Sequence, residues 1–195
     1  MNSITCVKKK IEEVIANSTV PEDPVHSKNT LKWLLKLDPD ADEALRIAAL
    51  GHDIERAVEE RKVRRKDYES YNEFKEAHAL KSAEILREIM DECRSSRKLT
   101  EDVYDLICIH ETGGDDRANL LRNADSISFF DVNLPFYFIR NGVEETKERY
   151  LWGYKKLPDD LKAIVADFNY EDKKLVSLVK SWVKDQSSFH NRDRR

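Results

Sequence analysis

An imidazole and a carboxylate, His52 and Asp53, close a segment that otherwise belongs in a core, Leu45-Arg46-Ile47-Ala48-Ala49-Leu50-Gly51. The segment reads as an apolar helix. His52 falls seven residues after Leu45 and four after Ala48, on the same helical face. A carboxylate at the inner end of such a helix is costly unless it is paired or coordinates a metal. The fold must therefore bring further polar groups to this point.

The remaining elements also read as helices. Val7, Ile11, Val14 and Ile15 mark a first helix over 7–16, which Pro21-Glu22-Asp23-Pro24 breaks. His26 opens a second helix through Leu37, with Thr30, Leu31, Leu34 and Leu35 facing inward. Asp40 with Glu43 resembles a capping box for the helix that carries His52. A helix over about 72–91 stacks Phe74, His78, Ser82, Ile85 and Ile89 on one face. Thr100 is the expected cap of the next helix, lined by Val103, Leu106, Ile107 and His110 and stopped by Gly113-Gly114. A helix over about 116–132 aligns Leu121, Asp125, Ser128 and Val132, and ends at Asn133-Leu134-Pro135-Phe136. Asn141-Gly142 marks a turn. Three further helical pieces follow, the last striped by Leu175, Leu178, Val179, Trp182 and Val183. Asn191 to Arg195 reads as a frayed tail, and His190 has no expected role.

Five glycines and five prolines in 195 residues are too few for the many turns of a β-sandwich. The expectation is an all-α bundle of about eight helices forming one domain over 1–195. Its metal-binding core lies at about 24–131 and a helical extension at about 143–188. A net charge of −4 speaks against a nucleic-acid polymer as partner. The N-terminus lacks the apolar core of a secretory signal, and no apolar run approaches the roughly 20 residues needed to span a bilayer. Cys6, Cys93 and Cys108 are scattered and odd in number, which fits reduced thiols and a cytoplasmic setting without a membrane partner. Nothing in the chain opposes a homo-oligomer.

Six side chains are candidate metal ligands: His26, His52, Asp53, His78, His110 and Asp125. Each sits on a helix or at its end, and together they include four of the five histidines. A lone histidine on an apolar face is more often a hydrogen-bonded core residue than a ligand. Several on separate helices of one bundle are the pattern that builds a metal site in a bundle core. Imidazole nitrogen and carboxylate oxygen suit divalent Fe, Mn, Co, Ni or Zn. Asp53 is placed to bridge two ions. One would draw on His26, His52, Asp53 and Asp125, the other on Asp53, His78 and His110. Two such ions activate a hydroxide for in-line displacement at phosphorus.

The order His26 … His52-Asp53 … Asp125 resembles the H…HD…D signature of the HD-domain superfamily of metal-dependent phosphohydrolases. His78 and His110 extend it to the H…HD…H…H…D pattern of the dinuclear members. His110-Glu111-Thr112-Gly113-Gly114, followed by Arg122-Asn123-Ala124-Asp125-Ser126-Ile127, is similar to the H-x-T-G … A-D-x-I segment of bacterial di-iron hydrolases that split diadenosine tetraphosphate. Gly51-His52-Asp53-Ile54-Glu55-Arg56 resembles their HD-I-x-K segment, with Arg56 where a lysine is common. The resemblance implies an all-α bundle, a mono- or dinuclear centre of divalent metal, and hydrolysis of a nucleotide or another small phosphorylated metabolite. The same ligand pattern also serves mixed-valence di-iron oxygenases of this fold, and an inactive binding protein is the third reading.

Asp53 and Arg56 are the candidate catalytic residues. Arg56, Thr112, Gly113 and Arg122 are the candidate substrate-binding ones. Glu55 and Glu111 adjoin ligand segments, where each reads equally as a general acid, as a group holding a histidine, or as solvent-exposed. The basic run Arg61, Lys62, Arg64, Arg65 and Lys66 reads as a solvated face in preference to a phosphate clamp. Phe129, Phe130, Phe136, Tyr137 and Phe138, with Trp152, Tyr154 and Trp182, read as core in preference to a nucleobase platform.

Overall fold

Where apolar residues recur at helical spacing in this chain, helices form. The computed structural model describes residues 2–190, with side-chain surroundings through 184. The expected tail 191–195 and the side chain of His190 lie outside the described residues. Among those described there are nine α-helices and no strand. They divide into two compact units, 1–125 and 126–195, where the sequence suggested one domain. Among the described residues, no helix is long and apolar enough to cross a membrane.

The first unit contains α1 (Ser3–Ile15), α2 (Asp23–Leu37), α3 (Glu43–Gly51), α4 (Tyr71–Glu92), α5 (Arg97–Ile109) and most of α6 (Asp116–Ser128). Helix α3 is its hub. The helix touches α1, α2 and α5, while α4 lies along α5. Seven of the nine α3 residues are buried, so an outer polar face is almost lacking. Val7, Ile11 and Ile15 of α1 and Leu86 and Met90 of α4 complete this core. Gly51, the last residue of α3, lies against the Leu86 side chain of α4. A Cβ there would stand 2.6 Å from Leu86 Cδ1, so only glycine lets α3 run down to His52 beside α4.

Several helix ends differ from expectation for local reasons. Asp42, not Asp40, caps α3, accepting from Leu45 N–H at 3.0 Å. The capping box of the unit is at Ser70 and Glu73, ahead of α4. Ser96 caps α5, and Thr100 instead sits in its first turn and donates to Ser96 O. The chain breaks between α1 and α2 as expected, but α2 starts at Asp23 and not at His26, because Pro24 in its first turn has no N–H to lose.

Cys6 of α1 and Cys93 after α4 form a disulfide, leaving Cys108 as the free thiol among the described residues. The expectation of three reduced thiols is corrected. So is the support it lent to a cytoplasmic setting, because distant cysteines in sequence meet where α1 lies against α4.

The second unit runs from the last residues of α6 through a wide π-turn at Phe129–Asn133, α7 (Leu134–Lys156), α8 (Asp159–Ala166) and α9 (Lys173–His190). The chain was expected to break at Asn133–Phe136. In an α-helix the Pro135 ring would clash with the Asp131 carbonyl. The π-turn widens the backbone at that point, and the chain continues helically. Tyr170 Oη donates to Phe130 O at 3.0 Å. Gly142 divides α7, with φ 75° and ψ −170°, a conformation open essentially to glycine. The core rings are Phe130, Tyr150 and Trp182. Trp152 was expected among them but is exposed, with Arg149 and Lys156 over its ring.

Gly51→Ala forces the new methyl into Leu86, and overpacking of this kind costs about 1–3 kcal/mol. Urea denaturation should show the midpoint falling by that equivalent, with helical content unchanged.

Candidate metal centre

The six candidate ligands all belong to the first unit and converge in two groups. His26, His52 and Asp125 form one, and Asp53, His78 and His110 the other, each with its ligand atoms within 4.8 Å of one another. Local structure explains how each arrives. Ser27 Oγ donates to Leu50 O at 2.6 Å, which pins α2 to the end of α3 and sets His26 beside His52. The α-helix stops at Gly51. Asp53 then turns into a short 3-10 segment, Ile54–Ala57, with φ −106° and ψ 15°. With this bend the Asp53 carboxylate reaches His78 of α4 at 2.8 Å while staying 3.6 Å from His52 Nε2. His78 comes from the buried face of α4, His110 from the end of α5 and Asp125 from α6.

The histidines are oriented by what their Nδ1 atoms touch. A carbonyl only accepts, so His52 Nδ1–H donates to Ala49 O at 3.1 Å and His110 Nδ1–H to Ile107 O at 2.7 Å. His78 Nδ1–H donates to Glu55 Oε1 at 2.5 Å. In each ring Nε2 is thereby turned to the site, the arrangement in which a metal-binding histidine is held by its other nitrogen. His110 is fully buried, and its Nε2 has no hydrogen-bond partner. An unsatisfied buried nitrogen of this kind costs about 1–3 kcal/mol.

Spacing tests the fit to a cation. Ligand atoms about 2.1 Å from one ion stand about 3.0 Å apart at octahedral angles and about 3.4 Å at tetrahedral ones. In the first group, His26 Nε2 to Asp125 Oδ1 is 3.0 Å, His26 Nε2 to His52 Nε2 is 3.3 Å, and His52 Nε2 to Asp125 Oδ1 is 3.4 Å. In the second, His78 Nε2 to Asp53 Oδ1 is 2.8 Å. Asp53 also faces the first group, with Oδ2 3.9 Å from His26 Nε2 and Oδ1 3.6 Å from His52 Nε2. The residues therefore fit a metal ion at each group, with Asp53 between them.

The electrostatics are those of a site built for positive charge. Burial opposes ionisation of Asp53 and Asp125, yet the facing histidines, with Arg56 beside Asp53, hold both carboxyls well below the usual range. Burial likewise opposes charge on His52 and His78. The carboxylates outweigh it and push them up to about 9 and about 10. Burial lowers His110, whose surroundings add less negative charge.

Glu55 is buried and has a definite task. Besides His78 it accepts from Val63 N–H at 2.8 Å, which ties the loop after the 3-10 turn to the site. Glu111 pairs with Lys75. Arg56 donates through Nη1 to Asp53 Oδ2 at 3.1 Å and forms an ion pair with Asp23, its Nη2 3.0 Å from Oδ1. Thr112, Gly113 and Arg122 form a latch of their own, where Arg122 Nη1 donates to Thr112 O at 2.8 Å. Gly113 has φ 72°, and a Cβ on it would collide with Asn119 and Arg122. In the basic run, Arg61 pairs with Glu84 and Glu88, and Lys62 and Arg64 with Glu59, which leaves this run as an ion-paired face. Sequence reasoning passed over Asp23 and Ser27. The one reads as a turn residue beside Pro24, and the other as a neighbour of His26 with no pattern of its own.

A family model described as Domain of unknown function (DUF4202) matches residues 8–179, which is most of the chain. The chain belongs to the DUF4202 family. That match takes in all six ligand candidates and both units up to α9. No curated protein and no solved structure matches the chain.

Glu55→Ala would strip two buried donors, His78 Nδ1–H and Val63 N–H, of their acceptor. The expected loss is about 1–3 kcal/mol in urea denaturation, and Glu55→Gln, which keeps one acceptor oxygen, should lose less.

Proposed function

We propose that this protein is a metal-dependent phosphohydrolase acting on a nucleotide or another small phosphorylated metabolite. We further propose that it is related to the HD-domain superfamily. The observation that carries the reading is Asp53, whose two oxygens face two groups of imidazole and carboxylate ligands. A pair of divalent ions bound there supplies Lewis acidity toward a phosphoryl oxygen and a hydroxide at neutral pH. The donor set of four imidazoles and two carboxylates suits iron first, with Mn, Co, Ni or Zn as alternatives.

In this reading the chain's own groups divide the work. His26, His52 and Asp125 hold one ion, His78 and His110 the other, and Asp53 both. Glu55 keeps His78 turned inward. A small crevice lined by Asp23, His26, Ser27, His52 and Asp53, with Ile15, Leu50 and Ala57 as its apolar wall, adjoins the first group. Arg56, paired with Asp23 and Asp53 of this lining, is the candidate contact for a substrate phosphate. Each terminal nitrogen of a guanidinium carries two N–H donors, of which the Asp53 carboxylate takes one, while Asp23 pairs with the charge. The donors left over can grip a phosphate oxygen. Arg122, with the Thr112–Gly113 turn it braces, is a second candidate contact for the rest of the substrate.

Protein purified without added metal should carry up to two equivalents of a transition metal by elemental analysis. Loaded with Fe, Mn, Co or Ni, it should turn over at least one member of a panel of phosphomonoesters, phosphodiesters and nucleoside polyphosphates. No turnover by the loaded protein on any of them would count against the hydrolase. Asp53→Ala removes the ligand shared by both groups. It should lower bound metal by at least one equivalent and turnover by two orders of magnitude or more, with helical content retained.

A further inference from the structure

We propose that Asp23 is a positioning residue which, through Arg56, fixes the orientation of the Asp53 carboxylate between the two ligand groups. The inference rests on the two-ion reading above. The need for such a device follows from Asp53 itself. The terminal torsion of an aspartate is broad, so its backbone does not decide where each oxygen points. His78 holds Oδ1 at 2.8 Å, and the same oxygen stands 3.6 Å from His52 Nε2. On the other side, Arg56 Nη1 holds Oδ2 at 3.1 Å and so keeps that oxygen on the His26 side.

Arg56 needs an anchor in turn. It lies on a four-residue 3-10 turn, too short to fix a long side chain, and its side chain is partly exposed. Asp23 supplies the anchor. It is 5 % exposed, meets Arg56 Nη2 at 3.0 Å through Oδ1 and accepts from Ser18 Oγ at 2.6 Å through Oδ2. Ser18 thus holds one carboxylate oxygen by a hydrogen bond, and the other sets a negative charge against the guanidinium on the side away from Asp53. The contacts form one chain from the loop before α2 to the loop before α4: Ser18, Asp23, Arg56, Asp53, His78, Glu55 and Val63. Asp23 touches none of the six ligand atoms in this chain except through Arg56, so its effect on the ions is one of orientation. Groups that orient a ligand in this way commonly change metal affinity by 10–100-fold when removed.

The test is a titration of metal-free wild type, Asp23→Ala and Asp23→Asn with Mn(II). Bound equivalents are counted after gel filtration, and magnetic coupling between the two ions is read by EPR. Wild type should bind two equivalents with a coupled signal. In Asp23→Ala the second equivalent should bind at least tenfold more weakly and the coupled signal should vanish. Asp23→Asn keeps an acceptor for Arg56 without the charge, and should lie between the two. Thermal melting of the metal-free proteins separates this from a simple role in starting α2. A lowered midpoint with two coupled equivalents retained in the variants would overturn the inference. Should Asp23→Ala fail to fold, an Asp23→Asn protein indistinguishable from wild type in the titration would overturn it equally. Failure of wild type to bind two equivalents would instead remove the two-ion reading and the inference with it.

Discussion

A carboxylate that belongs to two places at once organises the first unit. Asp53 stands between the ligand candidates of α2, α3 and α6 and those of α4 and α5, where burial works against its charge. Everything close to it reduces that cost. Two histidines and an arginine bring positive charge, and Glu55 and Asp23 hold those partners in turn. The helices have to meet at this point for the charge to be tolerable, so the site and the packing of the unit are one problem. A core built only of Leu, Ile and Ala around α3 would be simpler to assemble. The presence of so many ionisable groups there is an argument for a task beyond stability.

The site also shows how a short backbone irregularity does work that a regular helix cannot. On a continuing α-helix, His52 and Asp53 would diverge by about 100° and face different neighbours. The helix instead ends at Gly51, and the following 3-10 turn turns Asp53 toward α4. Gly51 makes this ending fit, since it alone lets α4 come close enough for His78 to reach the same carboxylate.

Much of this was legible in the sequence. Apolar periodicity located the helices, because burial of one face is what holds them in place. It placed Val103, Leu106, Ile107 and His110 on one buried face, as found. The six ligand candidates were legible for a related reason, since titratable residues on apolar faces stand out against the pattern. Their division about Asp53 follows from its position next to His52. Other features carry no such mark. The cap of α5 moved from Thr100 to Ser96 because both are good caps, and tertiary contacts choose between them. The Pro135 break became a π-turn because the backbone widened instead of stopping. Asp23 and Glu55 were misjudged or left open because a carboxylate's partners depend on which loops meet. Cys6 and Cys93 pair for the same reason, across 87 positions of sequence.

That pairing has a topological consequence. The disulfide closes a covalent ring from residue 6 to residue 93, and the ring contains His26, His52, Asp53 and His78 but neither His110 nor Asp125. Each ligand group is therefore completed by exactly one side chain from beyond the ring. A cation held in either group would act as a crosslink between the closed part of the chain and the open part. The disulfide and the two ions would then constrain different freedoms of the unfolded chain, the first within the ring and the others between the ring and α5 or α6.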